Sequence, residues 1–338
     1  MPRCFLAGGV ACGMLLAAGC FGPEPREGLR CSADGDCPPG QDCFPGGPGA
    51  GVCSSAPPAD ASADVDGGGP IAFGAPDQVP FMCGEAPCLS PRDPSLTGDR
   101  KQIAFTVETM NAAGDLDVYL AIRPTAFDSW FPAAQAGGID SLLVEEGSSL
   151  SANGLRLYFT REDQNLGGPP YGELWVSDRV AEGDPFDNAA PVAGVVNTSQ
   201  GNERSAVQTA DAARLIFARA LEGNLVDHDV YVALDGGGQW DTVARLEAVS
   251  QPGGDERSLA IVESEVDDEN MLFVSRGARI VEARWSGGYI AGAEVVSMHD
   301  ELVVPDAELV SGVWVSHDGS EIWFGACGAT CAIYRAVR

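Results

Sequence analysis

From residue 71 to 338 the apolar residues fall in short runs that alternate with polar ones, and the runs are separated by Gly, Asp, Asn and Pro. Five of these runs centre on a phenylalanine: Phe105, Phe159, Phe217, Phe273 and Phe324. Two residues before each stands an aliphatic residue or Met: Ile103, Leu157, Leu215, Met271 and Ile322. That period of two is the mark of a strand with one buried face. Six residues before each Phe stands Asp or Asn, at Asp99, Asn153, Asp211, Asp267 and Asp318. Short side chains that bond their own backbone favour tight turns, so each copy should open with a hairpin.

After each Phe a loop leads to a third apolar run, around Tyr119, Trp175, Tyr231, Val281 and Tyr334. Four copies continue into a fourth strand, as the stretch 243 to 250 does. The copies are about 54 residues apart, and four strands per unit at that spacing predict an all-β, five-bladed β-propeller rather than a helical solenoid. The fifth copy stops after its third strand, which would leave a row of unpaired backbone groups. The stretch 70 to 80, PIAFGAPDQVP, is the candidate to fill the gap, so the ring is expected to close by pairing the start of the domain with residues 332 to 338. The repeats resemble the WD40-like propeller repeats of TolB-type periplasmic proteins, in which a turn of Ser-Pro-Asp-Gly type precedes an apolar strand. That resemblance implies the fold, and it implies no particular activity, because propellers host binding modules, scaffolds and hydrolases.

The N-terminus changes the picture. Residues 1–19 carry one arginine, an apolar run from Phe5 to Ala18 and then small residues, which predicts a secretory signal peptide. The run ends in Leu15, Leu16, Ala17, Ala18, Gly19 and Cys20, which resembles the lipobox of bacterial lipoproteins, although Leu16 lies four residues before the cysteine where the family prefers three. The resemblance implies that Cys20 is acylated and becomes the mature N-terminus. Phe21 stands where an inner-membrane lipoprotein has Asp, which implies the outer membrane.

Beyond a tether at 20–30, the segment 31–53 is rich in Gly, Pro and Asp and holds Cys31, Cys37, Cys43 and Cys53. It has too few apolar residues to fold unaided and is expected to be a small disulfide module. Its DGDCPPGQDC stretch resembles small modules that follow the lipid anchor in myxobacterial-type lipoproteins. The spacing lacks the Cys-x2-Cys knuckles of zinc sites. Residues 54–69 read as a flexible linker. Ser62, Asp64, Asp66 and Gly67 fit the start of a calcium loop, but its last ligand position falls on Phe73, which cannot chelate. The remaining cysteines, Cys83, Cys88, Cys327 and Cys331, flank the two ends that the closure model joins, either as two local bridges or as cross-links between the segments.

The chain has 20 Lys and Arg against 49 Asp and Glu, a formal net charge of −29, which disfavours nucleic acid and anionic lipid surfaces as partners. No nucleophile elbow, phosphate loop or dinucleotide fingerprint is present. The three histidines, His228, His299 and His317, show no ligand spacing, so no metal, cofactor or catalytic triad is expected. One constellation is acidic. Counting back from each Phe to the innermost strand finds Asp93, Glu145, Glu203 and Glu256, two of them followed by the same Arg-Ser pair. Such positions should converge on the mouth of the central channel. They would either bind a ligand there or accept hydrogen bonds from backbone, Arg204 and Arg257 and so tie blade to blade. Tyr171, in the loop 163 to 173, should be exposed on the same face as a contact for a partner. The expectation is a lipid-anchored envelope protein whose propeller binds or scaffolds a protein or glycan, without enzymatic activity. The alternative is a five-bladed glycoside hydrolase that uses channel-mouth carboxylates as acid and base.

Overall fold

A computed structural model describes residues 72–338, apart from 110–114, 163–170, 200, 222–223, 225–226, 264–268 and 287–292. In the N-terminal unit it describes only the backbone of three strands. The signal peptide, Cys20, the rest of the tether to residue 29, Cys37 and residues 55–69 of the linker lie outside the described residues, as does Asp267. The chain divides into a unit up to Gly69 and a unit from Pro70 to Arg338. In the first, Gly51–Ser54 pairs antiparallel with both Arg30–Cys31 and Asp42–Pro45, and Cys43 lies opposite Cys53 in the register.

The second unit is a five-bladed propeller of four-stranded antiparallel sheets. Blade 1 runs outward through Arg92–Leu96, Gln102–Glu108, Leu116–Ile122 and Ala134–Gln135. Blade 2 is built from Val144–Leu150, Arg156–Glu162, Gly172–Asp178 and Asp187–Pro191. Blade 3 uses Gly201–Gln208, Arg214–Leu221, Asp229–Asp235 and Trp240–Arg245. Blade 4 is formed by Leu259–Val262, Glu269–Arg276, Arg279–Ser286 and Glu294–Met298. Blade 5 takes Leu309–Val315, Glu321–Cys327 and Cys331–Val337 from the end of the chain and its outer strand, Asp77–Val79, from the beginning.

That last pairing sets Ile333 against Val79 and Arg335 against Asp77, so the ring shuts as the unfinished fifth copy implies. Phe73, just upstream, is buried against Phe273 and His299, and its N–H donates to Glu301 at 3.1 Å. The cysteines flanking the seam form two local disulfides, Cys83–Cys88 and Cys327–Cys331. The outer strand of blade 3 differs from expectation. It covers 240–245, and beyond it Leu246 and Val249 are buried in the turn that carries the chain back to the centre.

All five central phenylalanines are fully buried on second strands. They lie between blades: Phe217 of blade 3 clusters with Leu174 of blade 2, and Phe159 of blade 2 with Ala104 and Val118 of blade 1. Each such ring contributes roughly 1.5–3 kcal/mol of burial. The predicted turns recur as one motif in four blades. In it the hydroxyl of Thr97, Ser151, Thr209 or Ser316 donates to the carboxylate or amide oxygen two residues on. That oxygen in turn accepts the N–H of Lys101, Leu155, Ala213 or Ser320.

The inner strands are bent. In four blades the register slips beside a residue in the left-handed region: Asp93 (φ 53°), Gly147 (φ 64°), Ser205 (φ 48°) and Gly312 (φ 64°). Such a bulge turns the strand and changes which side chains face the axis. At Gly312 a side chain would also collide with blade 1, because an added Cβ would stand 2.2 Å from the Asp93 Cα.

Candidate functional site at the channel mouth

Register decides which inner-strand residues see the channel. Arg92 lies opposite Thr106, Glu146 opposite Thr160, Arg204 opposite Ala218 and Ser311 opposite Gly325, so these four stand at one level of four blades. Together with Arg257 they line a cavity of about 100 Å³ on the axis, joined there by Asp93 and Thr160. Alternation along a strand then turns the preceding residue, Glu145 or Glu203, away from that cavity.

Glu145, Glu203 and Glu256 therefore do not share a pocket. Each is buried and held by an arginine of the second strand of its own blade: Arg161 Nε at 3.0 Å, Arg219 Nε at 2.9 Å and Arg276 Nε at 2.8 Å. The same guanidinium donates to a carbonyl of the loop entering the blade, Ile139 at 2.7 Å, Val196, or Val249 at 2.6 Å. A further donor reaches the same Oε1 of each: the Ser141 hydroxyl on Glu145, Thr198 at 2.9 Å on Glu203 and the Gln251 N–H at 3.3 Å on Glu256, while Oε2 of all three is buried without a donor. Burial pushes Glu145 and Glu256 up to about 7 and raises Glu203 as well. These carboxylates fasten the entry loop to the blade. The expected tie through Arg204 and Arg257 is replaced by one through Arg161, Arg219 and Arg276.

Asp93 does not match the other three. The residue of blade 1 in register with Glu145 is Pro91, and Asp93 stands two positions further on, at the bulge. Its Oδ2 accepts the Gly147 N–H at 3.2 Å, and its carbonyl accepts the Ser148 hydroxyl at 3.1 Å. Burial and then the neighbouring Glu146 raise its pKa. Of the four acidic candidates, it alone lines the axial cavity.

The groups that residue spacing did not single out are Glu146, Glu162 and Arg92. Arg204 of blade 3 reaches across to Glu146 and Glu162 of blade 2, pairing with both. Burial works against ionisation of Glu146, but Arg204, then Arg92 and Arg257, outweigh it and hold its pKa low. Glu162 goes the other way, raised by burial and by Glu146 despite Arg204. Arg257 pairs with Asp255 at 2.7 Å. Arg92 Nε and the hydroxyl of Thr160 are buried without a protein partner. The signal in the sequence was the residue after each chosen glutamate: Glu146, Arg204 and Arg257 each follow one.

Tyr171 is half-buried rather than exposed, and residues 163–170 of its loop are outside the described residues. His228 Nδ1 lies 2.9 Å from Asp255, and His299 sits between Glu282 at 3.1 Å and Glu301 at 2.9 Å. At the opposite end of the channel the turns surround a wider cavity of about 780 Å³, lined by Tyr158, Trp314, Asp211 and His317 among others. No helix among the described residues is long and apolar enough to cross a membrane.

No protein-family model matches the chain, and no curated protein does. Solved structures share the fold. The catalytic domain of an α-L-arabinofuranosidase from Coprinopsis cinerea aligns with a TM-score of 0.53 at 7% identity, over 79% of this chain and 96% of its own. An endo-arabinase from Bacteroides thetaiotaomicron aligns with 0.51 at 14% identity, over 77% and 98%. An α-L-arabinofuranosidase from Podospora anserina, solved in complex with cellotriose, aligns with 0.51 at 8% identity, over 79% and 97%. This chain is a five-bladed β-propeller. At such identities the likeness concerns the fold alone.

Proposed function

We propose that this propeller engages a neutral glycan at the mouth of its central channel. The observation that carries the reading is the axial cavity, where Asp93, Glu146, Arg92, Arg204 and Arg257 meet and where Arg92 Nε and Thr160 Oγ1 have no protein partner. A sugar hydroxyl both donates and accepts, so a ring of carboxylates and guanidiniums suits it. With Glu162 the carboxylates balance the guanidiniums, which favours a neutral ligand over a polyanion, and the formal charge of −29 adds repulsion of anionic polymers. The α-L-arabinofuranosidases and the endo-arabinase that share the fold support a glycan as ligand and also support the second reading, hydrolysis. The lipobox-like run ending at Cys20 and the TolB-type repeats support an exported, lipid-anchored protein of the outer membrane.

Glycoside hydrolysis is the second reading. It is favoured by Glu146 and Glu162, which stand side by side with pKa values pushed apart, as an acid and base require. Hydrolysis needs two carboxyl groups about 5–5.5 Å apart for retention or about 6.5–9.5 Å for inversion. Arg204 grips both glutamates, so it would have to release one as substrate enters. The test is affinity electrophoresis in gels containing arabinan, arabinoxylan or mixed cello-oligosaccharide polymers, with reducing-sugar release assayed in parallel. Retardation lost in Arg92→Met supports binding, and sugar release lost in Glu162→Gln supports hydrolysis. Mobility unchanged by every neutral glycan, with no sugar released, would overturn both.

A further inference from the structure

The junction between blades 1 and 2 carries an uncompensated cluster of carboxylates. Asp117, at the start of the third strand of blade 1, and Glu145 of blade 2 are both buried, while Asp140 lies exposed on the loop between the blades. One carboxylate oxygen from each lies within 4.8 Å of the other two. Glu145 Oε1 accepts from Ser141 and Arg161, but its Oε2 is buried with no donor. Gln135 Nε2 donates to Asp140 at 2.8 Å, which satisfies an oxygen without supplying charge. Arg161 is the one cation bonded to the cluster among the described residues.

The junction between blades 3 and 4 shows what is missing. There Asp229 opens the third strand as Asp117 does, and Glu256 is clamped by Arg276 as Glu145 is by Arg161. Gln135 lies opposite Tyr119 in the sheet, and the residue opposite Tyr231 is Arg245. Arg245 bonds Asp229 at 2.8 Å. In place of Asp140, that loop has Ser250, whose hydroxyl accepts the Val230 N–H at 2.9 Å. The orphaned Oε2 is common to Glu145 and Glu256, so the difference lies in the charges around it: one junction has a guanidinium built in, and the other has an amide and an additional carboxylate.

We propose that Asp117, Asp140 and Glu145 bind a calcium ion that takes the place of the arginine and fastens blade 1 to blade 2. Calcium takes oxygen ligands at about 2.3–2.6 Å, so ligands on opposite sides of one ion are roughly 5 Å apart, which matches the spread of these oxygens. Exposed Asp140 gives the ion a path from solvent, and water completes the shell.

The test uses the whole mature chain stripped with chelator, titrated with calcium chloride by calorimetry and followed by thermal melting. One equivalent of calcium should bind, and Tm should rise with calcium concentration. Asp117→Asn/Asp140→Asn should lose that uptake and its Tm shift. Gln135→Arg should also lose it, while melting above the stripped parent in chelator, because it restores the charge found at the other junction. Uptake or a Tm rise that persists in Asp117→Asn/Asp140→Asn would mark diffuse binding to an acidic surface and overturn the site. Absence of uptake by the parent would overturn it as well, and preference for magnesium would overturn the choice of ion.

Discussion

Glu145 and Glu146 are neighbours in the chain and have opposite environments. Glu145 points between blades, is clamped by Arg161 of its own sheet and has its pKa pushed up to about 7. Glu146 points at the axis, is gripped by Arg204 of the next blade and has its pKa held low. The same division separates Glu203 and Glu256, which are capped, from Arg204 and Arg257, which line the channel. Period-two alternation makes one residue of each pair part of the scaffold and the next part of a site, so a shift of one position exchanges stability for chemistry.

The sharpest way to break this comparison is to strip a clamp. Arg219→Ala leaves the Glu203 carboxylate buried without its cation and should cost about 3–5 kcal/mol in urea unfolding. A loss below about 1 kcal/mol would show that the clamp is not structural. Replacing both partners, as in Glu203→Leu/Arg219→Met, should recover most of that loss, since an apolar pair avoids the orphaned charge.

Titration gives a second distinction. Glu256 has a folded pKa near 7, above its unfolded value, so the folded state holds the extra proton and is favoured at low pH. Its contribution should fade as pH rises from the ordinary carboxylate range to about 7, and Glu256→Gln should remove that part of the slope in Tm against pH. Glu282 lies on the opposite side, held at about 2: burial works against its ionisation, but hydrogen bonds from His299 and Arg284 outweigh it. The stability it adds is present above the ordinary carboxylate range and is lost only as pH falls toward 2. Glu282→Gln should therefore lower Tm at neutral pH and have little effect in strong acid.

The smallest effect concerns the turns, far from both sets of glutamates. Asp318 accepts from Ser316 at 2.5 Å and from the Ser320 N–H at 3.0 Å. Asp318→Ala should cost roughly 0.5–2 kcal/mol and leave glycan mobility shifts unaltered. A variant that melts like the parent would show the turn motif to be dispensable.

Much of the fold was legible because it rests on periodicity and on closure. The five phenylalanines, the turn residues Asp99, Asn153, Asp211 and Asp318, and the strand at 77–79 that completes blade 5 all follow from alternation and from the cost of an open edge. The site was harder to read, because facing depends on register and register is altered by bulges. The left-handed residue at Asp93, Gly147, Ser205 or Gly312 slips one strand past another, and only Gly advertises such a position in sequence. Counting back from Phe105 therefore reached Asp93, while the residue level with Glu145 was Pro91. Glu162 escaped for another reason. It sits at the far end of a second strand, beside Glu146 of the paired strand, and both are gripped by Arg204, a contact between blades that no local pattern encodes.

The central claim is that the axial set engages a neutral glycan and the capped set does not. Affinity electrophoresis of the parent, Arg92→Met and Glu203→Gln against a panel of neutral polysaccharides that includes arabinan measures this directly, with circular dichroism to confirm folding. Arg92 makes no ion pair among the described residues, so its loss should leave the propeller intact and abolish retardation. Glu203→Gln, though less stable, should be retarded like the parent. Retardation retained by Arg92→Met and lost by folded Glu203→Gln would contradict the account and return the binding role to the capped glutamates.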